Sequence, residues 1–289
     1  MQHGYFIAAL GLALVMADAV PALAADEPKT IDAADGAFGF ADDSGATDVG
    51  KFQSTLDFLP SWNNGRMRGT NVGARLEINT GVLPGLQLGL AATGANERSG
   101  PTGEDVNTSR AFSVSLPGKW QIRAREVNDF GIGITFEPFI GRERNRPQPG
   151  GLDYGIDAKI VLDANFDNRI YATFNAGYAL EATAPPVGGT QTAGQLYLSL
   201  AGTYRFFDAL YVGLQIRQAW QYQQAGPGSL AGQSLSLGPT IAWQVNDNLT
   251  FSAVWMRQVA GSDVVRPSAL LDLTNFHTND ARVRMTVSF

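Results

Sequence analysis

Residues 281–289, at the end of the chain, alternate between apolar and polar side chains without a break. The apolar positions are Ala281, Val283, Met285, Val287 and Phe289. The polar positions are Arg282, Arg284, Thr286 and Ser288. Successive side chains of a β-strand point to opposite faces, so this pattern predicts a strand with one apolar and one polar face.

The same alternation recurs from residue 51 onward, in segments joined in turn by short and by longer polar connections. The clearest pair is 154–164 with 170–180, joined by a turn that contains Asp167 and Asn168. Asp and Asn favour tight turns because their side chains hydrogen-bond the neighbouring backbone. The other predicted pairs are 72–78 with 86–92, 112–124 with 130–139, 196–206 with 210–216, and 235–245 with 249–255.

Single strands at 52–58 and 281–289 complete the pattern and bring the predicted number of strands to twelve. The longer connections are predicted at 60–70, 94–109, 142–153, 183–194, 224–232 and 261–279. An even number of strands, with short turns on one side and long loops on the other, is typical of bacterial outer-membrane barrels.

The closing strand resembles that of such barrels because it ends on an aromatic residue, Phe289. The resemblance implies that Phe289 is part of the signal read by the barrel-assembly machinery. It also implies a Gram-negative outer membrane, with membrane lipid and lipopolysaccharide as surroundings. We therefore expect an all-β fold, a transmembrane antiparallel up-and-down β-barrel of about 12 strands with short periplasmic turns and longer extracellular loops.

A soluble β-sandwich would alternate in the same way, and aromatic residues favour the barrel over it. On the apolar face, Trp243 and Phe251 lie near the predicted short turns, whereas Tyr154 and Tyr178 lie near the long loops. Aromatic residues at both ends of the strands match the two interfacial belts of a membrane barrel.

The N-terminal region divides into two parts. Residues 7–16 form an apolar run too short for a membrane-spanning helix, and Ala22-Leu23-Ala24 fits a cleavage site. We expect 1–24 to be a signal peptide, although 1–6 lack the usual Lys or Arg. Residues 25–50 are acidic and lack periodicity, which predicts a flexible periplasmic segment before a barrel over 51–289.

The polar face of each strand is expected to point into the lumen, where basic residues outnumber acidic ones. The predicted inward charges are Asp57, Arg75, Glu77, Lys119, Arg123, Arg125, Glu137, Asp157, Lys159, Asp163, Glu181, Arg205, Arg217, Arg282 and Arg284. These charges either pair and stabilise the wall, or form a mildly anion-attracting constriction. Arg123, Arg125, Arg282 and Arg284 are predicted near the periplasmic ends of their strands. Small inward residues, such as Gly131 and Gly133, favour an opening over a solid core.

The sequence offers little for catalysis. The chain has no Cys, and His277 is the one histidine beyond the predicted signal peptide. No catalytic residue, metal site or cofactor is therefore expected, and an outer-membrane lipid hydrolase is a less favoured alternative. Residues 42–45 contain two Asp but lack the ligand spacing of a calcium loop. No motif indicates nucleic-acid binding.

Phe174-Asn175-Ala176-Gly177-Tyr178, followed by 197–204, resembles the outer-membrane family of the phenol meta-cleavage pathway. The resemblance implies a passive channel or transporter for small solutes, including hydrophobic or aromatic compounds. The alternative is a structural or adhesive outer-membrane barrel with a plugged lumen. Loop 262–280 could provide the plug, because it contains the apolar stretch 269–273.

Overall fold

The computed structural model describes residues 38–63, 67–101, 107–125, 130–145, 151–185, 188–265, 267 and 269–289, so the predicted signal peptide lies outside the described residues. The described part of the chain contains thirteen strand segments. They are β1 (Phe52–Trp62), β2 (Met67–Leu83), β3 (Leu86–Pro101), β4 (Asn107–Ser115), β5 (Gly118–Arg123), β6 (Phe130–Asn145), β7 (Leu152–Phe166), β8 (Ile170–Ala184), β9 (Gln191–Phe207), β10 (Leu210–Tyr222), β11 (Leu230–Asn246), β12 (Leu249–Asp263) and β13 (Asn279–Ser288).

β4 and β5 are two halves of one barrel strand. Both pair with β3 and with β6, and the register is the same on either side of the interruption. The ladder is interrupted at Leu116 and Pro117, where proline has no N–H to donate. The local backbone still finds partners, because Leu116 N donates to Pro138 O at 3.0 Å and Gly89 N donates to Pro117 O at 2.7 Å. The barrel therefore has the twelve antiparallel strands that the sequence predicts.

The sheet closes on itself between its first and last strands. β1 pairs with β2 on one side and with β13 on the other. The final residue takes part, since Phe289 N donates to Phe52 O at 2.9 Å and Phe52 N donates to Phe289 O at 2.8 Å. A closed sheet leaves no unpaired edge, as a lipid environment requires.

The two faces of the wall differ as predicted. In β8, Tyr171, Thr173 and Asn175 are buried and point inward, whereas Ile170 and Phe174 are exposed on the outside. Large apolar side chains cover the outer face of the other strands as well. Among the described residues, no helix is long and apolar enough to cross a membrane. The fold is that of a Gram-negative outer-membrane barrel.

Several strands are longer than the sequence analysis predicts. β2 begins at Met67, within the predicted loop 60–70, while β8 and β9 extend into the predicted loop 183–194. Both β2 and β9 have 17 residues. A tilted strand needs about 9–11 residues to cross the apolar core of a bilayer. The extra residues continue the ladder beyond that core, where polar side chains on both faces had indicated loops.

A charged side chain on the outer face should lower the folding stability strongly at mid-height and only slightly at the rim. Ile160→Arg in the middle of β7 should lower stability in lipid vesicles by about 2–4 kcal/mol, because the arginine would face the bilayer core. Leu152→Arg, on the same face at the end of β7, is the matched control and should cost at most about 1 kcal/mol. Urea titration in vesicles measures both variants, and equal losses would contradict the assigned membrane position.

Candidate functional site

Residues 38–50, called the lumenal segment below, lie inside the barrel. This corrects the prediction of a flexible periplasmic segment, which covered 25–50; residues 25–37 lie outside the described residues. The segment joins the wall at the short-turn rim, where Gly50 N donates to Gly81 O at 3.0 Å. From there it crosses the half of the lumen nearer the short turns. The sequence pattern could not predict this location, because the segment has no periodicity and side chains of the barrel wall hold it in place.

An apolar contact fixes the far end of the lumenal segment. Phe38 is fully buried and Ala41 nearly so. They form one cluster with wall residues Tyr171, Ala201, Tyr211 and Ala242. The rings of Tyr171 and Tyr211 lie 5.7 Å apart. Burying a phenylalanine side chain stabilises by about 1.5–3 kcal/mol, so this contact anchors the segment substantially.

Wall side chains also satisfy the polar groups of the lumenal segment. Phe40 N donates to Gln215 Oε1 at 2.9 Å, Asp42 N to Asn175 Oδ1 at 2.7 Å, Ser44 Oγ to Asp163 Oδ1 at 2.6 Å, and Thr47 N to Gln87 Oε1 at 2.9 Å. Asn175 Nδ2 donates back to Asp42 O at 3.0 Å. The backbone of the segment forms no β-ladder, so its polar groups need other partners. These hydrogen bonds provide partners that water would otherwise supply.

The small inward residues make room for this segment. A Cβ atom added at Gly131 would lie 2.0 Å from Ser44 Oγ and 2.2 Å from Asp163 Oδ1. One added at Gly133 would lie 3.2 Å from Ser44 Cα. Gly131 and Gly133 were interpreted as signs of an opening. The space that they leave is filled by the chain's own residues.

Two aspartates of the lumenal segment meet two lysines of the wall. Asp42 bonds Lys159, and Asp43 Oδ1 lies 3.1 Å from Lys119 Nζ. Burial raises the pKa of Asp42, but Lys159, Lys119 and Arg284 outweigh burial and hold that pKa well below its usual range. Lys119 and Lys159 face the lumen as predicted, and each has a carboxylate partner there.

Asp57 binds two arginines at the seam where the barrel closes. Arg282 and Arg284 each approach both carboxylate oxygens, at 2.8–3.0 Å. Asp57 is 1 % exposed. Arg282 also donates to Gly39 O at 3.0 Å, and its guanidinium carbon lies 5.8 Å from the Phe40 ring centroid. This cluster therefore ties the seam to the lumenal segment.

The other predicted lumen charges are also held by neighbours. Arg75 bridges Glu77 and Glu137 at 2.5 Å each. Arg125 is buried and binds Asp163 at 2.7 Å. The remaining contacts join Tyr197 Oη to Asp157 at 2.6 Å, Arg217 to Gln195 at 3.2 Å, and Arg205 to Asp208 O at 3.1 Å. Glu181, towards the other end of β8, is exposed.

The structure does not bring the four highlighted arginines into one constriction. Arg123 stacks on Phe130 near the short-turn rim, with its guanidinium carbon 3.6 Å from the ring centroid. Arg125 lies with Asp163, whereas Arg282 and Arg284 share Asp57 near the middle of their strand. The prediction that Arg282 and Arg284 lie near the periplasmic strand end is wrong, because seven and five positions, respectively, separate them from Phe289.

A chamber of about 490 Å³ remains beside the lumenal segment. It extends from the short-turn rim, at Phe289, Phe52 and Asn248, to Leu59 and Glu137 near mid-height. Its lining combines charged residues of the wall with Asp42, Asp43 and Asp48 of the segment. The chamber is therefore a polar half-channel that opens from one rim of the barrel.

A second, much smaller cavity of about 70 Å³ lies beyond Phe40. Phe40 lines both spaces, and Phe276 of the 262–280 loop lines the small one. Gly261 N donates to Leu270 O at 3.0 Å, and Asp272, fully buried, accepts from the backbone of Thr274 and Asn275. The loop thus folds towards the mouth of the barrel. Phe40 lies between the chamber and the small cavity that the loop lines.

Sequence reasoning missed the lumenal segment, although two signals pointed to it. The predicted inward charges have a surplus of bases, and the N-terminal acids at 42, 43 and 48 can balance them. Phe38 and Phe40 are also unusual in a flexible acidic segment, where few aromatic residues are expected.

Comparison with known proteins identifies a family. Residues 36–266 match the model of the family described as "Putative MetA-pathway of phenol degradation". The match covers most of the chain and nearly the whole barrel. A search of curated proteins finds no match.

Several solved structures have a similar fold. An outer-membrane channel from Pseudomonas putida F1 has a TM-score of 0.59 at 12% identity, with 86% of this chain and 98% of that chain covered. The beta domain of the Bordetella autotransporter BrkA has a TM-score of 0.57 at 12% identity, with coverage of 83% and 98%. The translocator domain of NalP from Neisseria meningitidis has a TM-score of 0.51 at 10% identity, with coverage of 83% and 88%. At these identities the likeness shows the barrel fold.

Gly131→Ala should displace the lumenal segment. The added methyl group would collide with Ser44 and Asp163, so docking should weaken by about 1.5–3 kcal/mol, the value of a hydrogen bond to a charged group. The chain has no Cys, so a unique thiol introduced as Ala41→Cys reports docking through its rate of maleimide labelling. That rate should rise by about tenfold or more.

Gly94→Ala is the control for this substitution, because a Cβ atom there has no neighbour within 4 Å. It should leave the labelling rate unchanged. Equal labelling of Ala41→Cys in the Gly131→Ala and Gly94→Ala backgrounds would contradict the docked position of Ser44.

The lumenal segment should stay docked as the pH falls from 7 to about 5, since Asp42 keeps its charge across that range. A carboxyl whose pKa is lowered by docking stabilises the docked state above its undocked pKa. That stabilisation is lost only as the pH falls through the lowered value. The maleimide-labelling rate of Ala41→Cys, relative to that of a free thiol at the same pH, should therefore stay constant over this range. A rise between pH 6 and 5 that is absent in Asp42→Asn would contradict the lowered pKa.

Proposed function

We propose that this chain, which belongs to the family described as "Putative MetA-pathway of phenol degradation", is a passive outer-membrane channel for small solutes, including small aromatic compounds. The observation that carries the proposal is the chamber of about 490 Å³ that runs beside the lumenal segment from the short-turn rim to mid-height. A polar chamber of this size offers space for a small solute, which a barrel with a structural role alone does not require.

The size and lining of the chamber suit a single aromatic ring that carries a polar group. Ligand sites of about 300–1,000 Å³ accommodate small organic molecules. The ring of Phe40 and the apolar side chain of Leu59 line the chamber together with Lys and Arg side chains. A phenolic solute offers a ring for the first group and a hydroxyl for the second.

Passage through the whole barrel requires the lumenal segment to shift. Phe40 lines both the chamber and the cavity of about 70 Å³ beyond it, so its ring lies between the two spaces. Hydrogen bonds and ion pairs that water can replace hold the segment around Phe40, whereas the apolar cluster anchors its end at Phe38. We infer that its movement near Phe40 controls the path.

The alternative function is a structural or adhesive barrel whose lumen stays plugged. Phe40 and Phe276 line the same small cavity, which favours this alternative because the segment and the loop approach each other there. A lipid hydrolase is less well supported. His277 Nδ1 lies 4.0 Å from Asp280 Oδ1, which is longer than a hydrogen bond, and the similar structures are described as an outer-membrane channel, a beta domain of an autotransporter and a translocator domain.

We propose two partners of the barrel, the assembly machinery at the end of its last strand and lipopolysaccharide at its surface. Phe289 lies at the short-turn rim with its backbone paired to Phe52, where we propose that the barrel-assembly machinery reads it. Arg142 near the end of β6 is exposed on the opposite side, where it can contact the phosphates of lipopolysaccharide.

Recording from planar bilayers tests the proposed channel. The heat-modifiable, folded protein should conduct ions, and a variant lacking 38–47 should conduct several-fold more, because the segment obstructs the lumen. Phenol should interrupt the current of the full chain by occupying the chamber, whereas cyclohexanol, of similar size without a π-face, should have a weaker effect.

Two results would contradict the proposal, the first its channel function and the second its aromatic preference. The first is folded full-length protein and folded 38–47 deletion that both fail to conduct, which would support the plugged structural barrel. The second is conductance that phenol and cyclohexanol affect equally, which would retain a channel but remove the aromatic preference.

A further inference from the structure

Three inward residues on adjacent strands form a row that has the chemistry of an anion site. Lys119 of β5 pairs with Thr135 of β6, and Thr135 pairs with Lys159 of β7. Paired residues lie directly opposite each other on neighbouring strands, which are about 4.8 Å apart, so the lysine backbones are about 10 Å apart. We call Lys119, Thr135 and Lys159 the lysine row. Its two ammonium groups flank a hydroxyl.

The lysine row is reachable from the chamber. All three residues line it. The side chains of Lys119 and Lys159 retain 18% and 21% of their exposure, so the ammonium groups are partly desolvated and still accessible. Ion pairs in such surroundings are stronger than at an open surface.

Carboxylates of the chain itself occupy the row. Asp43 binds Lys119 at 3.1 Å, and Asp42 bonds Lys159. These aspartates come from the lumenal segment, so their contacts are made only while the segment is docked. Wall carboxylates close to the row are engaged elsewhere, Asp157 with Tyr197 and Glu137 with Arg75.

The segment changes the balance of charge around the chamber. The lining residues outside the segment comprise six bases, Lys51, Arg75, Lys119, Lys159, Arg282 and Arg284, but only three acids, Glu77, Glu137 and Asp157. The segment contributes three further acids, Asp42, Asp43 and Asp48. Without the segment, the bases are the majority among these lining charges.

We propose that the lysine row is a binding site for the carboxylate of a small aromatic acid, and that Asp42 and Asp43 act as a built-in ligand which the solute displaces. The inference rests on the proposed channel function and names the substrate class of that channel. Phe40 lies two residues before Asp42 and near Arg282, so the segment itself presents a ring and a carboxylate to this wall. A solute carrying both groups replaces the same contacts, and the freed segment opens the path.

Removing the built-in ligand tests the exchange. In Asp42→Asn/Asp43→Asn, the lysines remain and their carboxylates are gone, so the site is available without displacement. Titration calorimetry of detergent-solubilised full-length protein with benzoate should give binding about tenfold or more tighter than in the wild type. Benzamide, the neutral analogue of similar shape, should bind neither protein measurably.

Removing the lysines should abolish the site. Lys119→Gln/Lys159→Gln should lose benzoate binding, while Arg217→Gln, which removes a lumen charge away from the row, should keep it. Asp48→Asn is the matched control for the aspartates, because it removes an acid from the same segment without touching the observed ion pairs of the row. It should leave benzoate affinity within about twofold of the wild type.

Bilayer recording separates this inference from the channel function. Under a salt gradient, the reversal potential of Asp42→Asn/Asp43→Asn should shift towards anions relative to Asp48→Asn. A conducting barrel whose reversal potential and benzoate affinity do not respond to the aspartate pair would overturn the inference and leave the channel intact. A non-conducting barrel that shows the calorimetric pattern would retain the site and reject the channel. Equal affinity for benzoate and benzamide would also overturn the inference.

Discussion

The backbone pairing of β1 with β13 is the constraint on which the rest of the structure depends. Every strand then has two neighbours, so the wall exposes no unpaired N–H or C=O groups along an edge, and its apolar face can lie in lipid. Asp57, Arg282 and Arg284 reinforce the same seam from inside. Closure creates an enclosed space, and enclosing charges in that space requires each of them to find a partner.

The interior meets this requirement by sharing charges between wall and lumenal segment. Lysines of β5 and β7 bind aspartates of the segment, while arginines of β13 bind Asp57 of the wall. The segment therefore does more than fill volume. It adds carboxylates to a lumen whose wall carries more bases than acids, so the position of the segment also determines the net charge of the lumen.

The strands could be predicted because a lipid-facing surface imposes period two, and Asp or Asn marked the short turns. Strand ends were harder to predict, since beyond the apolar core the outer face of β2 and β9 no longer has to be apolar. Inward charges such as Lys159 and Arg282 follow from the period, but their partners do not. Asp42 and Gly39 lie far away in sequence, and only the closed barrel brings them near.

Those long separations have a kinetic consequence. The hydrogen bonds that join the lumenal segment to wall side chains span 40 to 243 positions of the sequence, and most of them span more than 100. The partner side chains come from β3, β5, β7, β8, β10 and β13, so the binding surface of the segment is complete only when the last strand is in place. Contacts between residues so far apart in the sequence form slowly. The segment can therefore complete its docking only after the barrel has closed, which makes this docking one of the last steps of folding.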